Sequence, residues 1–343
     1  MFELAKVDMT KFHKFLAKAI MSSSQFNFDH MNLVPRKCVV NSRAECDTST
    51  QFGNFNWKLP VIPANMECVI NEDIAERLAS NGYFYILHRF NINVMNFAKR
   101  MKSQGLPISI SLGVNEDSYS LLHQMTVALL KPDYVTIDIA HGHSIKMERM
   151  IKWIKSNFAH PPFIIAGNVS TQEAVKDLEA WGADAIKVGI GPGSACTTYT
   201  ATGFGSRGAQ ASIIADCKAA ASKALIIADG GIQNPGDIAK SLALGAHMVM
   251  IGGMFSALAD SPGNVVIGTD GRQYKEFWGS ASAHTIGKTG RIEGTKKLML
   301  MNTKTIDDEM NYLKECLQSA ISYGGGRTLA CFKDVDWILH EKL

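Results

Sequence analysis

The sequence predicts an α/β protein: a (β/α)8 TIM barrel with a mobile flap over the C-terminal face of its strands. Three observations carry that expectation. From Leu59 onward, short apolar runs rich in β-branched and aromatic residues recur eight times. Stretches with helical spacing separate them, and polar or glycine residues follow nearly every run. Strand-helix alternation implies a parallel sheet, and eight units favour closure into a barrel. An open doubly wound sheet is the alternative reading of the same alternation.

Taken in order, residues 1–24 place Phe12, Phe15, Leu16, Ala19 and Ile20 at helical spacing, with Lys11, Lys14 and Lys18 between them. Residues 1–27 therefore read as a helical extension, and Glu3 and Asp8 argue against a targeting peptide. Residues 28–343 form a single catalytic barrel domain on this reading. Its eight strands are expected at 61–64, 83–87, 108–112, 134–139, 163–166, 185–190, 225–228 and 248–251, with helices such as 72–80, 171–181 and 235–244 between them. Residues just after the strands then form the functional face: Asn65 and Met66, His88 and Arg89, Asp138, Asn168, the loop around Cys196, Asp229 to Gly231, and Gly252 with Gly253. From Gly263 the barrel pattern stops. The stretch 271–294, rich in Gly, Ser and charge, is the expected flap over the barrel mouth, with an exposed surface loop the alternative on composition. A last helix is expected over 306–321, with Asp307, Asp308 and Glu309 at its N-terminus.

Composition excludes more than it identifies. A net charge of +3 across 343 residues, with no long Lys/Arg block, points away from a nucleic-acid partner. No apolar run reaches the length of a membrane span. The seven cysteines are odd in number and lack CxxC spacing, which suits a reducing compartment such as the cytoplasm and gives neither a disulfide framework nor a zinc site. Glu341-Lys342-Leu343 departs at its first position from the peroxisomal Ser-Lys-Leu address, which leaves a peroxisome-like organelle as the lesser alternative.

Chemistry concentrates at 187–205, KVGIGPGSACTTYTATGFG. An apolar run breaks into a glycine-proline-glycine loop, which lets backbone approach a ligand closely and sets Cys196 at a strand's end. A cysteine so placed is a candidate nucleophile. Further on, ADGGI at 228–232 and MVMIGGMF at 248–255 put glycine pairs after adjacent strands, where barrels bind phosphate through backbone N–H groups. Asp229 is placed to accept hydrogen bonds from ribose hydroxyls. Flavin-binding barrels use similar glycines, so this signal implies a phosphate before it implies a particular ligand.

KVGIGPGSACTT, together with IADGGI, MIGGMF, PANM at 63–66 and IDIAHGH at 137–143, resembles the IMP dehydrogenase/GMP reductase family from about Phe28 to the C-terminus. LHRF, GSAS and ISYGGG are similar to the bacterial-type GMP reductase branch. Residues 90–105 carry no regulatory CBS insertion, and the 12 residues from Ala281 to Ile292 contain no tyrosine of the kind a dehydrogenase flap uses to activate water. The resemblance implies NADPH-dependent reductive deamination of GMP to IMP and ammonia through a cysteine thioimidate, in a homotetramer. It implies Cys196 as nucleophile, with Thr198 and Glu293 handling protons. For GMP it implies Ser194, Asp229, Gly230, Gly231, Gly252, Gly253, Gly279 and Ser280. For NADPH it implies Arg89, Asp138, Ala140 and Gly191, with Ser42 and Arg43 reaching across from a neighbouring subunit. Carbonyls of Gly191, Gly193 and Cys196 are the implied ligands of a monovalent cation such as potassium; Tyr199 stands where the family usually has a basic residue. Three alternatives stay open: an IMP dehydrogenase lacking CBS domains, a flavin-dependent barrel oxidoreductase, and a catalytically silent nucleotide-binding regulatory protein.

Overall fold

The computed structural model describes residues 25–282 and 292–340; the expected N-terminal helix, the centre of the expected flap and the last three residues lie outside them. Seven strands form one parallel sheet: β1 (Val61–Pro63), β2 (Ser109–Leu112), β3 (Tyr134–Asp138), β4 (Phe163–Val169), β5 (Ala185–Val188), β6 (Leu225–Asp229) and β7 (Met248–Ile251). Their order, β1-β7-β6-β5-β4-β3-β2, brings the first and last strands side by side and curls the sheet into a barrel.

The expected strand at 83–87 is a correction: it completes the barrel wall as extended chain rather than as a regular strand. It meets β2 at one bridge, Leu87 to Ile110, with backbone bonds Leu87 N to Ser109 O of 3.2 Å and Ser111 N to Leu87 O of 3.0 Å. Two features shorten that ladder. Pro107 has no N–H to give, and the Tyr85 hydroxyl intervenes, donating to Pro107 O at 2.6 Å and accepting from Ser109 N at 3.1 Å. On the other side, Ala64 N–H donates to Ile251 O on β7, so Pro63 faces 83–87 and offers no donor there.

Alternation along the strands fills the barrel. Ile62, Phe84, Ile86, Tyr134, Ile165, Ala185, Ile227, Met248 and Met250 pack inward as one buried cluster. A hairpin of Thr50–Phe52 and Phe55–Trp57 plugs the N-terminal end, with Phe52 stacked on Tyr134 at 5.9 Å between centroids. The opposite strand faces pack under the helices, including α1 (Glu72–Ser80), α2 (Val94–Ser103), α3 (Glu116–Val127), α4 (Ile145–Asn157) and α5 (Gln172–Trp181). Side chains of Asn71, Asn93, Ser144 and Thr171 cap four of these by accepting from the backbone N–H three residues on.

After β7 the chain builds an antiparallel sheet of β8 (Val265–Ile267), β9 (Gln273–Trp278) and β10 (Lys296–Leu300). The expected flap at 271–294 thus begins as strand, because Phe277 and Trp278 are buried and anchor β9. Residues 283–291 of that expectation lie outside the described residues. The last long helix runs from Ile306 to Tyr323, two residues beyond its expected end; Thr305 caps it and Asp308 closes a capping box.

Candidate active site

Period-two alternation sets the floor of the mouth. Ala185 points into the barrel, so Lys187 does too, one layer nearer the C-terminal end; Tyr134 and Asp138, and Ile227 and Asp229, follow the same rule. Gly167 gives the lysine room, since a Cβ there would lie 2.6 Å from the Lys187 Cβ. Lys187, 2% exposed, places Nζ 3.0 Å from Asp138 Oδ1 and 3.2 Å from Asp229 Oδ2. Asn65 donates to the other Asp138 oxygen at 2.7 Å, and Asn168 donates to Asp229 at 2.8 Å. Burial pushes the Asp138 carboxyl up, but Lys187, Asn65 and Arg89 together bring it below the usual range. Burial pushes Lys187 down, yet its two carboxylates carry it above the ordinary lysine value.

Above this floor the loop after β5 carries Cys196. Its Sγ lies 3.2 Å from Thr198 Oγ1, and Thr198 Oγ1 donates to Glu293 Oε2 at 2.7 Å. Backbone pairing fixes the three across a long sequence gap. Thr197 N donates to Glu293 O at 2.8 Å, Thr295 N to Ala195 O at 2.9 Å, and Cys196 bridges Gly294. Glu293 N in turn donates to Ala281 O at 3.0 Å, tying in the Gly279–Ser282 turn.

These groups line one cleft of about 900 Å³. Cys196, Thr198 and Glu293 stand on it with Ser194, Asp229, Gly230, Gly231, Gly252, Gly253, Gly279 and Ser280. Arg89, Asp138, Ala140, Gly191 and Gly193 line it as well. Ser42 and Arg43 do not. Ser42 caps a short 3-10 turn, and Arg43 bonds Ser319 Oγ at 3.1 Å and lies over the Tyr323 ring, both on the helix Ile306–Tyr323.

Sequence reasoning passed over Lys187 as a functional residue. The available signal was a lysine at an inward position of an otherwise apolar strand, since a buried charge needs partners. Two groups in the cleft suit a nucleotide cofactor. Arg89 lies 4.6 Å over the Phe90 ring and makes no salt bridge among the described residues, leaving its guanidinium for a phosphate. Asn168 Oδ1 is buried without a partner among the described residues, an acceptor open to an amide donor. Among the described residues no His/Cys/Asp/Glu cluster is fit to hold a metal ion, and no helix is long and apolar enough to cross a membrane.

The sequence model of the IMP dehydrogenase / GMP reductase domain matches residues 25–337. A protein named GMP reductase from Mycoplasma mycoides subsp. mycoides SC is 49% identical over 314 residues, 92% of this chain and 97% of that one. GMP reductases from Pediococcus pentosaceus and Bacillus licheniformis are each 49% identical over 315 residues, again 92% of this chain, and 96% and 95% of theirs. The chain belongs to the IMP dehydrogenase/GMP reductase family.

Proposed function

We infer that the protein is a GMP reductase, an NADPH-dependent oxidoreductase that converts GMP to IMP and ammonia. The observation that carries this reading is the Cys196–Thr198–Glu293 chain, opening onto the same cleft as Asp229 and the glycine pairs. Relatives of that name at about half identity over nearly the whole chain add weight.

On this reading the glycine pairs and Ser194 hold the GMP phosphate by backbone and hydroxyl donors, and Asp229 accepts from the ribose. The Cys196 thiolate attacks guanine C2, forming the S–C2 bond. Thr198, backed by Glu293, delivers a proton to the departing amine, so that the C2–N2 bond breaks with its electron pair on ammonia and leaves a thioimidate. NADPH, when bound, supplies the hydride that C2 receives. The S–C2 bond then breaks with its pair on sulfur, which regenerates the thiolate and leaves IMP. Asp138, Ala140 and Arg89 are the cofactor side of the cleft.

Finer points belong to the same reading. Ser42 and Arg43, exposed and away from this cleft, suit a cofactor contact to a neighbouring subunit in a tetramer, which light scattering would test. A potassium ion on the Gly191, Gly193 and Cys196 carbonyls has room in the bonding scheme: Gly193 O accepts one hydrogen bond, from Cys196 N at 3.0 Å, and keeps a lone pair. Potassium dependence of turnover checks it. All seven cysteines are free, which suits a reducing compartment such as the cytoplasm.

The deciding experiment follows the nicotinamide absorbance band with GMP plus NADPH in one cuvette and IMP plus NAD in another. NADPH oxidation with ammonia release is expected in the first. Cys196→Ala is expected to lower that rate by about three orders of magnitude or more. NADH formation confined to the second cuvette would establish a dehydrogenase, and silence in both would leave a nucleotide-binding protein.

A further inference from the structure

Six barrel positions send polar groups into the mouth: Asn65, Arg89, Asp138, Asn168, Lys187 and Asp229. One ammonium stands at their centre, sealed from solvent and shared by two carboxylates on non-adjacent strands, β3 and β6. Each carboxylate has an amide donor of its own, Asn65 for Asp138 and Asn168 for Asp229. Neither amide bridges the two acids. Only Lys187 does.

We propose that Lys187 is a positioning residue that couples the two halves of the cleft, standing between Asp229 on the nucleotide side and Asp138 on the cofactor side and fixing both toward their ligands. The proposal rests on the GMP reductase reading, which assigns those sides. Its physical basis is the geometry of a shared ion pair. A carboxylate reoriented by a ligand shifts the ammonium, and the ammonium shifts the other carboxylate. Without it, two like charges face one another across the barrel floor and swing apart or compete for one proton. Asp229 then loses the orientation in which it accepts from a ribose. The directions in which Lys187 and Asp138 titrate accord with this pairing.

The test is titration calorimetry with GMP alone, so that no turnover enters the readout. Lys187→Met is expected to bind GMP at least about tenfold more weakly than the wild type, the scale of a lost charged hydrogen bond. Removing the second carboxylate's charge, Lys187→Met with Asp138→Asn, is expected to recover most of that loss, because the repulsion goes with it. A merely space-filling lysine would show no such recovery. Lys187→Arg, which keeps a cation between the acids, is expected to bind GMP better than Lys187→Met.

Wild-type affinity in a folded Lys187→Met protein would overturn the coupling, as would a double variant no better than the single one. If Lys187→Met fails to fold, Lys187→Gln takes its place: weaker GMP binding that Asp138→Asn largely restores supports the coupling, and wild-type affinity or no restoration overturns it. A wild-type protein that does not bind GMP at all sinks the functional reading, and this proposal with it.

Discussion

The Thr198 hydroxyl has one proton to give and two neighbours, the Cys196 sulfur at 3.2 Å and the Glu293 carboxylate at 2.7 Å. An ionised carboxylate only accepts, so the hydroxyl points its proton at Glu293 and turns a lone pair to the thiol. The chain therefore has a direction: it draws a proton from sulfur toward the carboxylate, and returns one to the leaving amine along the same path. Glu293→Gln keeps the shape of the side chain and breaks this direction, since an amide neither takes nor holds the proton. The expected outcome is a kcat lower by about 10²- to 10⁴-fold, the usual worth of a positioned acid or base, with KM for GMP nearly unchanged. Steady-state kinetics on the purified variant decide it. A raised KM with kcat intact would make Glu293 a binding residue and leave the proton unassigned.

At the scale of the element, strand β5 and its loop show how closely backbone must approach backbone for this site to exist. Gly189 leaves the strand at φ +147°, and a Cβ on it would lie 2.0 Å from the carbonyl oxygen of Asp229 on β6. The buried Gln210 amide binds the same junction from outside, donating to Val188 O at 2.9 Å and Asp229 O at 3.2 Å. Nothing flexible can yield there. Gly189→Ala is expected to cost more than about 3 kcal/mol, whereas Gly193→Ala, with open space around its Cβ position, is expected to stay within about 0.5 kcal/mol of wild type. Urea denaturation of both compares them, and equal midpoints would refute the argument. The loop was legible in the sequence because glycine and proline punctuate it, and seven of the eight barrel strands were legible because parallel strands buried on both faces read as unbroken apolar runs. The run at 83–87 was equally apolar; what denied it a ladder was Pro63 and Pro107 on its neighbours and a tyrosine hydroxyl among its own side chains, partners that only the fold supplies. Likewise the Cys196, Thr198 and Glu293 positions could be marked by motif, while the Lys187 bridge needed the angular placement of three strands around a closed barrel.

For the molecule as a whole, two buried histidines contribute to the acid side of its stability. His88, 6% exposed, is held neutral by burial, which pushes its pKa down to about 4. Burial also lowers His247, whose Nε2 lies 2.7 Å from Gln51 O. Unfolding releases both to the ordinary value near 6.5. Between about pH 6.5 and 4 the unfolded chain therefore binds more protons than the native one, so stability is complete above that window and is lost as pH falls through it. Asp133 opposes this weakly: burial raises its carboxyl, so the native state keeps that proton longer as pH rises. The displacement of His88 alone corresponds to about 3 kcal/mol across the window, a large share of the 5–15 kcal/mol typical of a folded domain. Unfolding free energy measured by urea at about pH 7, 6, 5 and 4.5 is expected to fall steadily. In His88→Asn, whose side-chain oxygen can still accept from Phe90 N–H as His88 Nδ1 does at 3.3 Å, the slope is expected to flatten whatever the variant's absolute stability. An unchanged slope in the variant would show that His88 takes up its proton alike in the native and unfolded states and would remove it from the account of acid unfolding.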